Sequence, residues 1–299
     1  MKNPYFGRIL TAMVTPMNED GSVNFTALGD LAEWLIANGS DGLVVCGTTG
    51  ESPTLTTEEK LEMFRTVVKR INKRVPVIAG TGSYNTAASI EMSMQAEKIG
   101  VDGLLVVGPY YNKPPQEGFY GHFKAIADST KLPMIIYNVP PRTSSNILPA
   151  TVARLAKDCP NIVAIKEAAG NVAQVAELYS LLPKDFSIYS GDDVLILPFM
   201  SVGATGLISV LSNIGGQMLQ DLMQAFEAGK VKEAMDINTK MLPLAHAMFV
   251  TTNPIPVKES VSLVTPIKAG PVRLPLVKMS VEEHQQVAQV LKEYDLIKH

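Results

Sequence analysis

The chain has 299 residues, 46% hydrophobic and 18% charged, with a formal net charge of −3, the profile of a folded protein rather than a disordered one. With 26 basic against 29 acidic residues it carries no basic footprint for nucleic acid or an anionic membrane surface. No apolar run approaches the ~18 residues of a membrane span, and the N-terminal MKNPYFGRILTAMVTPM meets Pro16 too early for a secretory leader, so a cytoplasmic protein is expected.

In chain order, the first apolar run is ILTAMVT (9–15). A helical stretch follows with Leu28, Leu31 and Leu35 on one face, stopped by Asn38-Gly39. GLVVCG (42–47) reads as a second strand. Thr56 and Glu59 then supply a capping box for a helix from Glu58 to Ile71, with Leu61, Phe64, Val68 and Ile71 on its buried face. Strand-like runs continue at VPVIAGT (75–81), GLLVVG (103–108), PMIIYN (133–138), IVAIKE (162–167), FSIYSG (186–191) and GLISV (206–210), with helical periodicity between them.

Three junctions, ANGSDGLVV, KIGVDGLLVV and SVGATGLISV, share one pattern. A glycine (Gly39, Gly100, Gly203) ends the helix and, after two intervening residues, another (Gly42, Gly103, Gly206) opens the strand. A glycine just past a helix takes the left-handed conformation without a Cβ penalty, and one turn used three times suggests repeated units. Eight strands alternating with helices predict an α/β fold of the (β/α)8 TIM-barrel type. A doubly wound sheet is the alternative, but neither GxGxxG nor a P-loop pattern is present. From Gln217 onward the pattern is helical without further strands. Residues 230–249 are rich in Met, Leu and Ala, Pro254 and Pro256 interrupt, and a last helix starts near Val281. The expected organisation is a barrel over 1–225 that carries the active site. A C-terminal helical extension, 226–299, is expected to pack on the barrel or on another subunit.

Cys46 and Cys159 make no disulfide framework, and the histidines at 122, 246, 284 and 299 show no metal-ligand spacing. No cofactor and no metal are expected. The residue that asks for a function is Lys166, at the end of the apolar Ile162-Val163-Ala164-Ile165. Burying an ammonium is costly unless it is paired or gives up its proton, and a lysine that gives up its proton is a nucleophile for Schiff-base chemistry. The plain alternative is a lysine past the strand end that snorkels to water.

A barrel gathers its catalytic groups at the C-terminal ends of the strands. There the chain places Thr48, Thr49 and Glu51 (GTTGES), Tyr110 and Tyr111 (GPYYNKPP), Tyr137 and Arg142 (YNVPPRT), Lys166 and Glu167, and Gly191, Asp192 and Asp193. Each has an ordinary reading: a turn at Thr48-Thr49, a rigid loop at the tyrosines, an exposed charge at Arg142, helix capping by Asp192-Asp193. Together they converge on one rim. Amine attack on a ketone needs a proton shuttle, which tyrosine and threonine hydroxyls provide. Substrate carboxylates need backbone N–H groups, offered by GTTG, or an arginine fork, offered by Arg142.

With TAMVTP, GTTGES, GPYYNKPPQEG, YNVPPRT, AIKEA, SGDD, GLISV and NPIPVK in order along nearly its whole length, the chain resembles the dihydrodipicolinate synthase family, within the pyruvate-dependent N-acetylneuraminate lyase superfamily. The resemblance implies a lyase that condenses pyruvate with aspartate semialdehyde to 4-hydroxy-tetrahydrodipicolinate, on the route to diaminopimelate and lysine. Lys166 would form the Schiff base, and Tyr137, Thr48 and Tyr111 would make a proton relay, with Tyr111 reaching in from a neighbouring subunit of a homotetramer built as a dimer of dimers. Thr49 would hold the pyruvate carboxylate, Gly191 and Ile208 would line the pocket through their main chains, and Arg142 would bind the carboxylate of the second substrate. The common family form P-G-R-T-G is here Pro140-Pro141-Arg142-Thr143-Ser144. The acidic residue that pairs with inhibitory lysine in regulated members corresponds to Ala88, and a preceding polar contact to Tyr84, so feedback by lysine is expected to be weak or absent. The other readings are a pyruvate-dependent aldolase acting on another aldehyde or a 2-keto-3-deoxy sugar acid, and a catalytically silent binder of 2-oxo acids.

Overall fold

A computed structural model describes residues 4–297. The eight apolar runs become parallel strands: β1 (Ile9–Ala12), β2 (Gly42–Val45), β3 (Val77–Gly80), β4 (Gly103–Val107), β5 (Met134–Asn138), β6 (Ile162–Glu167), β7 (Ser187–Ser190) and β8 (Gly206–Ser209). Each pairs with the next, and β8 closes on β1 with Leu10 opposite Ile208, so the sheet is a barrel with no open edge. Seven of the eight strands are shorter than their runs, and β6 matches its run residue for residue. The first run continues into Met13, Val14 and Thr15, which are buried at the rim but lie outside the strand. Met13 N–H still bonds across to the Val44 carbonyl at 3.2 Å, while Val14 and Thr15 are buried past the end of the ladder.

The local signals read from the sequence act as expected. Gly39, Gly100 and Gly203 sit at φ +99°, +93° and +112°. Thr56 caps the helix Thr57–Ile71, its hydroxyl accepting from Glu59 N–H at 3.1 Å while the Glu59 carboxylate accepts from Thr56 N–H at 2.9 Å.

Strand alternation divides the core in two. Leu10, Val44, Ile78, Leu105, Ile135, Ala164 and Ile208 fill the barrel. Ile9, Leu43, Val45, Ile136, Ile165 and Leu207 face the helices around it. The later helices Val231–Ala247, Ile255–Val264 and Val281–Glu293 join this outer layer through Met241, Leu244, Val257, Val261, Val287 and Leu291. Among the described residues no helix is long and apolar enough to cross a membrane.

The chain after Ala247 returns to the C-terminal rim and is fastened there by an ion pair. Lys258 Nζ donates to Glu51 at 2.6 Å, with side-chain exposures of 1% and 0%. The second Glu51 oxygen accepts from Arg273 N–H at 3.0 Å. Burial pushes the Lys258 ammonium below the ordinary lysine value, and the Glu51 charge opposes that shift. Removing one member of such a pair strands the other charge in a dry site, which costs about 3–5 kcal/mol. Lys258→Met is therefore expected to lose that much stability in chemical denaturation, and adding Glu51→Gln should recover most of it. A single variant as stable as the parent would mean that the pair does not fasten the segment.

Candidate active site

Lys166 follows Ala164, which points into the barrel, and Ile165, which points out, so its side chain enters the barrel and that of Glu167 leaves it. Lys166 is 5% exposed, which rules out a lysine snorkelling to water. It stands opposite Tyr137 in the β5–β6 register, with Nζ 4.2 Å from the centre of the Tyr137 ring. This is cation–π geometry for an ammonium, and no carboxylate pairs with Lys166 among the described residues. A Cβ at Gly191 would lie 3.0 Å from Lys166 Cε and 2.7 Å from Ala168 Cβ, so the glycine keeps room for the lysine side chain.

Glu167 does not touch the lysine. It is fully buried on the outer face, where Asn138 donates to it at 3.0 and 3.2 Å, Gln174 at 3.0 Å and Ala169 N–H at 2.7 Å. Burial still pushes its carboxyl above the ordinary range. The network fixes the chain just beyond β5 and β6, since Asn138 also accepts from Ile147 N–H at 3.0 Å.

The loop after β2 holds two non-glycine residues in the left-handed region, Cys46 and Glu51, both at φ +57°. Each costs about 1–3 kcal/mol and persists only where its surroundings enforce it. Here Thr15 donates to the Gly50 carbonyl at 2.6 Å, Asn253 donates to Thr49 Oγ1 at 3.1 Å, and Lys258 grips Glu51. Gly50 and Glu51 N–H bond within the loop, whereas Thr48 and Thr49 N–H donate to nothing among the described residues. Two free backbone donors beside a threonine hydroxyl form a cradle for a carboxylate.

Arg142 lies on a single helical turn, Pro140–Thr143, where prolines at the first positions give up no needed N–H. Its guanidinium is exposed apart from one long contact, Nη2 to the Asn253 carbonyl at 3.4 Å. Ser144 ends the turn at φ +55°, a conformation that suits the family's glycine better.

Thr48, Tyr137 and Arg142 line one cleft of about 250 Å³ together with Tyr110, Ser83 and Lys60. Lys166, Thr49 and Ile208 do not line it and are buried, at 5%, 2% and 0% exposure. Gly191 is half-buried beside Lys166. Tyr111 stands apart from this cleft, 93% exposed at φ +68°. Asp192 caps a short turn by accepting from Val194 N–H at 3.1 Å. Asp193 does more than cap: fully inside, it accepts from Ser209 Oγ at 2.5 Å and from Val210 and Leu211 N–H at 3.1 and 3.0 Å, which ties β7 to the end of β8.

The sequence reading assigned no role to Asn253, Lys258 or Lys60. A signal existed for Lys258, a lysine among Ile255, Val257 and Val261 that raises the same question as Lys166. Its partner lies 207 positions away, which no local pattern reveals. Lys60 lines the cleft, and burial lowers its ammonium below the ordinary lysine value. Among the described residues no three His, Cys, Asp or Glu side chains gather as a metal-binding group.

Residues 5–294 match the Dihydrodipicolinate synthetase family. The chain is 51% identical to the 4-hydroxy-tetrahydrodipicolinate synthase of Desulforamulus reducens over 292 residues, 98% of each protein. It superposes on the dihydrodipicolinate synthase of Cyanidioschyzon merolae with lysine bound at a TM-score of 0.97 and 43% identity, covering 99% of this chain and 100% of that one. The chloride-inhibited dihydrodipicolinate synthase of Acinetobacter baumannii complexed with pyruvate gives 0.93 and 40%, over 97% and 99% of the two chains. The chain therefore belongs to the dihydrodipicolinate synthetase family.

Proposed function

We infer that the chain is a lyase that condenses pyruvate with aspartate semialdehyde to 4-hydroxy-tetrahydrodipicolinate, in lysine biosynthesis. Near-full-length identity to curated synthases supports the reaction. The observation that carries the chemistry is Lys166, a buried amine with no carboxylate partner, set against the face of Tyr137 at the top of the barrel.

In this reading Lys166 Nζ adds to C2 of pyruvate and the carbinolamine loses water to give the iminium. Loss of a C3 proton then yields the enamine, whose carbon adds to the aldehyde carbon of the second substrate. The amino group of that substrate attacks C2 and releases Lys166 as the ring closes. Tyr137 is the proton donor and acceptor for these steps, with Thr48 next in the relay; both line the cleft. The pyruvate carboxylate takes the free N–H groups of Thr48 and Thr49 and the Thr49 hydroxyl, while Gly191 and Ile208 bound the pocket.

Tyr111 completes the relay in a second copy of the chain. A large aromatic that is 93% exposed on a left-handed backbone supports that reading, as it makes no use of its own cleft. The assembly is then a homotetramer, a dimer of dimers. The organisation that goes with it is a barrel over 1–225 carrying the site and a helical extension over 226–299. Free, buried Cys46 and Cys159 fit a reducing compartment, and we place the enzyme in the cytoplasm.

Arg142 at the mouth of the cleft, its guanidinium almost wholly unused, is the group for the carboxylate of aspartate semialdehyde. Charge-assisted bonds of this kind are worth about 1.5–3 kcal/mol each. In steady-state condensation assays Arg142→Ala should lower kcat/KM for aspartate semialdehyde by about 100-fold or more, with the pyruvate KM little changed. A parent enzyme that ignores aspartate semialdehyde but takes another aldehyde or a sugar acid would replace this assignment with the aldolase reading.

Feedback by lysine should be weak or absent. Ala88 is exposed on the first turn of the helix Thr86–Ile99 and offers no carboxylate, Tyr84 packs edge-on against Tyr110, and Lys60 brings a like charge into the cleft. An amino-group effector would be desolvated there without a counter-ion. Titration with lysine to several millimolar is expected to leave the rate unchanged, and half-inhibition below a millimolar would contradict this.

A further inference from the structure

We propose that Asn253 is a positioning residue for pyruvate, its side-chain amide holding the Thr49 hydroxyl so that its hydrogen is free for the substrate carboxylate. This rests on the reading of Thr49 as a carboxylate holder. A hydroxyl has one hydrogen to donate and two lone pairs to accept with. Asn253 Nδ2 donates to Thr49 Oγ1 at 3.1 Å, which occupies a lone pair and leaves the hydrogen without an acceptor among the described residues. Were the neighbour a carboxylate or a carbonyl, the hydroxyl would turn its hydrogen toward that group and lose it to the substrate.

The amide orientation follows from its surroundings. With Nδ2 toward Thr49, Asn253 Oδ1 is buried without a partner. The opposite orientation would leave both N–H groups unpaired, where this one leaves a single N–H and the oxygen, and stranded buried donors are the rarer case.

Asn253 is also held where this role requires. It is 6% exposed, its carbonyl accepts from Arg142 Nη2 at 3.4 Å, and Lys258 farther along the same segment grips Glu51 in the Thr49 loop. One segment from the far end of the chain thus braces both groups that receive substrate carboxylates. It links residues 204 positions apart in the sequence.

Asp and Ala at this position separate positioning from packing. Asn253→Asp keeps the shape but can only accept, so it draws the Thr49 hydrogen and adds a negative charge. It is expected to raise the pyruvate KM roughly ten- to hundred-fold, with a smaller change for aspartate semialdehyde. Asn253→Ala loses the donor but leaves the Thr49 hydrogen free, and should raise it only about three- to ten-fold. Alanine worse than aspartate is the order a packing role gives, and it would overturn the proposal. A double-mutant cycle with Thr49→Val decides even if the aspartate variant does not fold. On the Thr49→Val background Asn253→Ala should add nothing to the pyruvate KM, and additive effects would overturn the proposal while leaving Thr49 its role. A Thr49→Val enzyme with the parent pyruvate KM would remove the carboxylate role of Thr49, and the proposal with it.

Discussion

A strand in a closed barrel has one side facing the interior and one facing the helices, and along an unbulged stretch successive residues must alternate between them. At Lys166-Glu167 that constraint separates two charged neighbours completely. The amine enters the barrel beneath Tyr137, and the carboxylate leaves it into a network of Asn138, Gln174 and backbone N–H. Had the register slipped by one, the acid would occupy the interior and the amine would sit among helices. Barrel closure prevents the slip, since past the register shift at the start of β6 residues Ala164–Glu167 pair without a break with β5 and β7.

The second constraint is long-range. The loop after β2 is strained at Cys46 and Glu51, and a loop free to relax would not keep the Thr48 and Thr49 N–H groups unpaired. The returning C-terminal segment supplies the restraint through Lys258, Asn253 and the Arg273 backbone. The helical extension is therefore tied to the site, although it contributes no strand to the barrel.

The fold was legible because it is built from local signals: eight apolar runs, the Thr56–Glu59 capping box and three helix-ending glycines each act within a few residues. The site was partly legible for a different reason, because barrel strands end where chemistry collects, which made a lysine at the end of β6 suspect before any distance was known. What remained hidden depends on contacts between distant segments. Nothing near Glu51 announces Lys258, nothing near Thr49 announces Asn253, and the depth of Asp193 cannot be told from a capping motif. The first apolar run extends past its strand because residues such as Val14 stay apolar for burial at the rim beyond the ladder.

The central claim is that the Lys166 amine is the covalent nucleophile. Reduction with borohydride in the presence of pyruvate, followed by peptide mass spectrometry, tests it most directly. One 1-carboxyethyl group on Lys166, absent from Lys60, Lys258 and every other lysine and lost in Lys166→Arg, is the expected result. An unmodified Lys166, or an adduct that persists on another lysine in that variant, would contradict it.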